Sequence, residues 1–195
     1  MTVWIQRSSN TSRTQPDDEP VTVDEVKSDL KMRGINDYDG HIKPLIQAAT
    51  QYVEEQRLWK ALLTQTCIDK FDDFGGEFEL AWEPVQSITS ITYQDTDNAT
   101  QTLATSVYEL ATRNGAGIVR LKFDQVWPVA LSHPDSITMT YVAGFGDDAA
   151  DVPVSIRQAI RVLAGDWQLN PDGDTRIPIQ VDGLLSGQAA MRILA

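Results

Sequence analysis

Apolar residues are spaced along this chain in three ways, and each spacing predicts a different kind of element. Val23, Val26 and Leu30 recur at three- and four-residue intervals, which places them on one helical face. Thr22 precedes this run with Glu25 three residues on, the capping-box pattern in which each side chain takes the other's backbone amide. Val21 and Val26 stand at the two positions of a hydrophobic staple, and Gly34 is the expected stop. A first helix is expected over about 22–33. Ile42, Leu45, Ile46, Ala49 and Val53 keep the same period and predict a second over about 41–58, with Pro44 in its first turn. Ile156, Ile160, Leu163 and Trp167 follow Pro153 and predict a third over about 153–168.

Between the second and third helices the period changes. Thr66 to Phe71, Val85 to Tyr93, Val107 to Leu110, Ile118 to Phe123 and Ser136 to Val142 are rich in β-branched and aromatic residues. In the last run Ile137, Met139 and Tyr141 alternate with Thr138, Thr140 and Val142, the period of a strand with two unlike faces. Gly75-Gly76, Asp95-Thr96-Asp97-Asn98 and Gly115-Ala116-Gly117 supply turns between runs. Short strands at this spacing predict an antiparallel sheet or small barrel over about 64–146.

The ends show no period. Residues 1–20 are polar apart from Val3-Trp4-Ile5 and read as a flexible arm. From about 169 the chain reads as an extended tail carrying Ile177, Ile179, Val181, Leu184, Leu185, Ile193 and Leu194. The expected fold is therefore α+β: a small bundle of three main helices, an inserted β-region, and arms at both termini. The domain between the arms spans 21–168.

Composition narrows the function. The 195 residues include 42% apolar and 23% charged, ordinary for one soluble globular domain with a real core. Sixteen basic residues stand against 28 acidic ones, giving a net charge of -12. They form no basic patch, so tight binding to duplex phosphates is not expected. No apolar run approaches a membrane span, and the first residues lack a signal-peptide layout. A single cysteine, Cys67, fits a reducing compartment. An intracellular product without membrane contact is expected.

Catalytic groups are few. His41 and His133 are the two histidines, and both read as solvent-facing; Cys67 reads as an inert thiol within a strand. Asp72-Asp73, Asp95 with Asp97, Asp147-Asp148 and Asp172 with Asp174 read first as turn formers. Zinc spacings, phosphate loops and the nucleophile elbow are absent. Trp59, Trp82, Trp127 and Trp167 lack the basic companions of a nucleic-acid platform. No catalytic residue, cofactor or metal is expected.

A series of strings then runs in one order from Pro20 through Trp167. It begins with Pro20-Val21-Thr22-Val23-Asp24-Glu25-Val26-Lys27 and Asp37-Tyr38-Asp39. It continues with Leu45 to Glu54, Ala61 to Thr66, and Pro84-Val85-Gln86-Ser87-Ile88-Thr89-Ser90-Ile91-Thr92-Tyr93. Tyr108-Glu109-Leu110, Trp127-Pro128, Tyr141 to Gly146 and Val152 to Ile160 complete it. This series resembles the head–tail connector (adaptor, or head-completion) proteins of tailed phages and gene-transfer particles. The arm before Pro20 and the tail after Asn170 lie outside the resemblance.

That resemblance implies a virion structural protein of the neck, made in the bacterial host cytoplasm. Its subunits form a homo-oligomeric ring, usually a dodecamer, docked to the portal protein and facing a stopper or tail-terminator protein. DNA passes through the lumen without sequence-specific binding, and acidity suits such a channel. The apolar spacing of the tail marks Ile177, Ile179, Val181, Leu184, Leu185, Ile193 and Leu194 as the expected portal contact. Alternatives are another neck ring protein (a stopper or tail terminator), a carboxylate-dependent hydrolase, or an acidic β-rich binding module. The hydrolase requires two converging carboxylates, one with a raised pKa.

Overall fold

Every second residue of Ile137–Ala143 is buried, as its alternation predicts, and this strand is the spine of a five-stranded sheet. The computed structural model describes residues 5–113, 115–171 and 177–189. Two units emerge, one from residues 1–15 with 64–144 and one from 16–63 with 145–195.

In the first unit the strands are β1 (Ile5–Arg7), β2 (Asn10–Arg13), β3 (Gln65–Phe71), β4 (Glu77–Glu79) and β5 (Val85–Gln94). They continue as β6 (Thr100–Thr102), β7 (Tyr108–Arg113), β8 (Ala116–Leu121) and β9 (Ile137–Ala143). One sheet runs β2-β3-β9-β5-β6 and the other β1-β4-β8-β7. Both are open, so the expected sheet-or-barrel region is two sheets and no closed barrel. The β1–β4 pair is parallel while the other ladders are antiparallel, a departure from the purely antiparallel expectation. Register is set from the middle: Cys67 faces Tyr141, Asp69 faces Met139 and Phe71 faces Ile137. These side chains are all buried, because β3 and β9 turn the same pleat face inward.

Strands β1 and β2 correct the expectation of a flexible arm over 1–20. Both lie at sheet edges, where pairing rests on backbone hydrogen bonds and needs no run of apolar side chains. Residues 10–13 pair with residues 67–70, and the Arg13 guanidinium lies 4.2 Å over the Trp82 ring.

The second unit is helical. Its elements are α1 (Val23–Asp29), α2 (Asp39–Gln51), a π-helical turn over Tyr52–Leu58 that continues α2, α3 (Val154–Leu169) and α4 (Ile179–Ala189). Four α-helices are therefore described, against three expected. The capping box forms: Glu25 N donates to Thr22 Oγ1 at 3.2 Å, and Thr22 N to Glu25 Oε2 at 2.8 Å. α1 stops sooner than Gly34, since Lys31 already takes a left-handed φ of 59°. Pro44 sits in the second turn of α2, not the first. Its missing amide would have faced the carbonyl of Gly40, which is exposed.

Val26, Ile42, Ile46, Ala49, Val53, Ile156, Ile160 and Leu163 form the centre of this unit. Two guanidiniums strap α3 to α1: Arg157 meets Glu25 at 2.6 Å and Arg161 meets Asp29 at 2.5 Å. Helix α4 replaces the extended tail expected there. Gly183, Ser186 and Gly187 disfavour a helix locally, at about 1 kcal/mol for each glycine. Val181 and Leu185 lie one turn apart, at 0% and 2% exposure, inside the core. Burial of that pair outweighs the local preference.

Candidate functional site

A buried polar cluster lies in the β-unit. Tyr141 Oη donates to Asp69 Oδ2 at 3.0 Å and accepts from Trp82 N at 3.0 Å. Asp69 Oδ2 also accepts from Ala81 N at 2.7 Å, while Oδ1 is buried without a hydrogen-bond partner in bonding geometry. Trp82 Nε1 donates to Thr11 Oγ1 at 3.0 Å, which ties β2 to the cluster. Burial pushes the Asp69 carboxyl above its ordinary range, against the opposing pull of the Thr11 hydroxyl, the Ala81 amide and the Tyr141 hydroxyl. The Tyr141 phenol is pushed up as well, by burial and then by the Asp69 charge. Both residues are fully buried, so the cluster joins strands and has no surface on which to meet a substrate.

A second carboxyl with a raised pKa occurs in the helical unit. Burial raises that of Glu19, and the charge of Glu54 raises it further. Glu54 is itself buried and accepts from the backbone amide of Leu62 at 2.9 Å, so it closes the turn after the π-helix. The other acidic pairs act in turns. Asp95 Oδ1 accepts from the amides of Asp97 and Ala99, at 3.0 and 2.9 Å. Asp72 Oδ1 accepts from Asp135 N, Asp73 Oδ1 accepts from Gln6, and Asp148 forms a capping box with Asp151. Asp172 and Asp174 lie outside the described residues. His41 and His133 are exposed and Cys67 is buried. Among the described residues no three metal-ligating side chains converge, and no helix is long and apolar enough to cross a membrane.

Surface chemistry is more distinctive. The run expected to be strand through Phe123 ends at Leu121, and the chain leaves the sheet as a loop over 122–136. Phe123 is 99% exposed, with Val126 at 81% and Val129 at 76%. The loop between them is anchored. Trp127 stacks on Phe74 with centroids 5.1 Å apart, meets the Phe78 ring edge-on at 5.4 Å, and donates Nε1 to the Gly76 carbonyl at 3.0 Å. Lys122 Nζ bonds the Thr105 carbonyl and Leu131 N bonds the Gln94 carbonyl, both at 2.8 Å. Leaving a phenylalanine in water forgoes about 1.5–3 kcal/mol of burial. Sequence reading missed this loop because Phe123 continued a β-rich run. The available signal was the lack of any period from Phe123 to Val129.

The expected portal residues are divided. Val181 and Leu185 are core residues here, and Ile177 and Leu184 are packed partly against that core. Ile179 is 83% exposed. Ile193 and Leu194 lie outside the described residues. Three of the tryptophans are packed: Trp82 is buried under Arg13, Trp127 is locked among phenylalanines, and Trp167 meets the Tyr52 ring edge-on at 6.5 Å, whereas Trp59 is 44% exposed.

No family model matches the chain, and no curated protein matches it in sequence. Solved structures share its fold. A chain from the neck of an empty gene transfer agent (GTA) particle, computed with C6 symmetry, superposes with a TM-score of 0.75 at 18% identity; the match covers 92% of this chain and 94% of that one. A chain from the virion of a native GTA particle gives 0.68 at 22% identity, covering 84% and 86%. One from the neck of a native GTA particle, computed with C12 symmetry, gives 0.66 at 20% identity, covering 84% and 85%. The fold described above is thus the fold of chains in phage-like neck assemblies.

Proposed function

We propose that this chain is a structural head–tail adaptor subunit of a phage-like particle. It forms a ring beneath the portal protein, presents a second face to a stopper or tail terminator, and surrounds the DNA exit channel. The observation that carries this reading is a fold shared over 92% of the chain with a protein of a GTA neck. Neighbours in C6 and C12 assemblies support a cyclic arrangement of copies. Helices on both sides of the main β-region, α1 and α2 before it and α3 and α4 after it, favour an adaptor over the other neck rings. A net charge of -12 keeps a DNA-lining surface from capturing phosphates.

The portal contact in this reading belongs to the exposed Ile179 and to the segment containing Ile193 and Leu194. Ile177, Val181, Leu184 and Leu185 serve it indirectly by holding α4 in place. Negative-stain microscopy of the purified chain, alone and with the portal ring of the same particle, tests the function. Added ring density at the narrow end of the portal is the expected result. Portal rings that stay bare, with the chain binding a tail tube instead, would point to a tail terminator.

A further inference from the structure

We infer that the outer face of the five-stranded sheet is a contact with a second copy of this chain, the next one around the ring. The inference rests on the ring reading above. The β-unit has two outward sheet faces, and they differ in kind. On the four-stranded sheet the outward positions are laced by ion pairs: Arg7 with Glu79 at 3.3 Å, Arg113 with Glu77 at 2.9 Å and Arg120 with Glu109 at 2.8 Å. Charges so arranged belong to a face kept in water.

The five-stranded sheet presents hydroxyls instead. Its register fixes which side chains share the outer side, opposite Cys67, Asp69 and Phe71. Thr138 stands beside Thr92, and Thr92 beside Thr102; Thr140 stands between Ile68 and Ser90. Each of these is half-buried or exposed. The outward positions of the five strands hold no carboxylate and one cation, Lys70, which pairs with Asp135 at 3.6 Å.

Charge selects the occupant. A second copy carries the same net charge of -12, so carboxylates facing carboxylates would oppose association. A contact between copies therefore belongs where carboxylates are absent, and the centres of interfaces are depleted of charge in general. The extent suits that use. Five strands about 4.8 Å apart and seven residues long give a face of roughly 500 Å², against about 800 Å² per partner in a standard interface. In a closed ring the contact is heterologous, so this face meets a different surface of the next copy.

The test titrates the full chain onto its portal ring and reads copies per ring by mass photometry, where contacts between copies appear as cooperative filling. Thr140→Asp, and Ser87→Asp at an exposed outward position of β5, are expected to shift filling to about 10-fold higher concentration. Melting curves of the free chains serve as the folding control. Thr140→Lys, which brings a cation toward an acidic neighbour, is expected to fill at least as well as the unmodified chain. Arg120→Asp, which adds negative charge on the other sheet's outer face, is expected to leave filling unchanged. Normal filling by both Asp variants of the hydroxyl face overturns the inference and leaves the ring reading intact. An equal loss in Arg120→Asp overturns it too, because repulsion is then general. If the Asp variants fill normally but no longer bind the tail-side protein, the face belongs to that contact and the inference is wrong. If filling is normal and Thr140→Lys rings alone capture duplex DNA, the face lines the channel and the inference is again wrong. Failure of the unmodified chain to load on the portal removes the ring reading itself, and the inference with it.

Discussion

Tyr141 and Asp69 share a 3.0 Å hydrogen bond between neighbouring strands of the five-stranded sheet, with both side chains fully withdrawn from water. The bond sits where β3, β9 and the Ala81–Trp82 backbone converge, and through Trp82 it reaches Thr11 on β2. It joins the N-terminal strand to the sheet more specifically than the edge ladder alone.

Stability should depend on pH through Asp69. Burial raises its folded pKa above the unfolded value, so its favourable contribution is fully present below the unfolded pKa and is lost as pH rises through the folded one. Asp69→Asn keeps a carbonyl acceptor and removes the ionisation. Its stability relative to the unmodified chain should therefore grow from acid to neutral pH, as read by denaturant titrations across that range. A difference independent of pH would refute the assignment. Asp69→Ala should cost about 2–4 kcal/mol, because it leaves the Ala81 amide and the Tyr141 hydroxyl proton without an acceptor.

At the start of α1 the sign is reversed. Burial opposes ionisation of Glu25, but the Thr22 amide and the Arg157 guanidinium outweigh it and hold the carboxyl below its ordinary range. Its contribution is present above the unfolded pKa and is lost as pH falls through the folded one. Thr22→Ala should lower stability by about 1 kcal/mol. Glu25→Gln should lower it at neutral pH and converge with the unmodified chain in acid, measured by thermal melts at several pH values.

Gly117 and Val85 leave no space between them. A Cβ on Gly117 would lie 2.4 Å from Val85 Cγ2 and 2.9 Å from its Cβ. Gly117→Ala is expected to cost about 1–3 kcal/mol. Adding Val85→Ala should recover part of that loss, giving a non-additive double-mutant cycle in urea. Strict additivity would show that the backbone moves instead.

Helix α4 should separate core from surface. Leu185→Ala is expected to cost about 2–5 kcal/mol in chemical denaturation, as a leucine removed from a packed core. Ile179→Asp, at an 83% exposed position, should change stability by less than about 0.5 kcal/mol while weakening portal pull-down. Retention of full portal binding by Ile179→Asp would remove that residue from the proposed contact.

Local patterns carried far. Thr22 and Glu25 announced a cap that forms as written, because its partners lie three residues apart. Ile137, Met139 and Tyr141 announced an inward face because a strand's period is a property of the backbone. The apolar loop at Phe123 was not legible, because a β-rich run does not reveal where pairing stops.

What the chain determined by itself was therefore everything decided within a few residues: caps, periods and turns. Three features depended on segments far apart. Residues 5–7 and 10–13 are strands only because β4 and β3 offer them edges, 54 to 72 residues further along the chain. Residues 179–189 are a helix only because the helical core takes up Val181 and Leu185, against the preference of two glycines. Phe123 is a surface feature only because Phe74 and Phe78 hold Trp127 and hold the loop with it. In each case the deciding free energy is burial or backbone pairing between distant parts of the chain, which a local window of sequence does not contain.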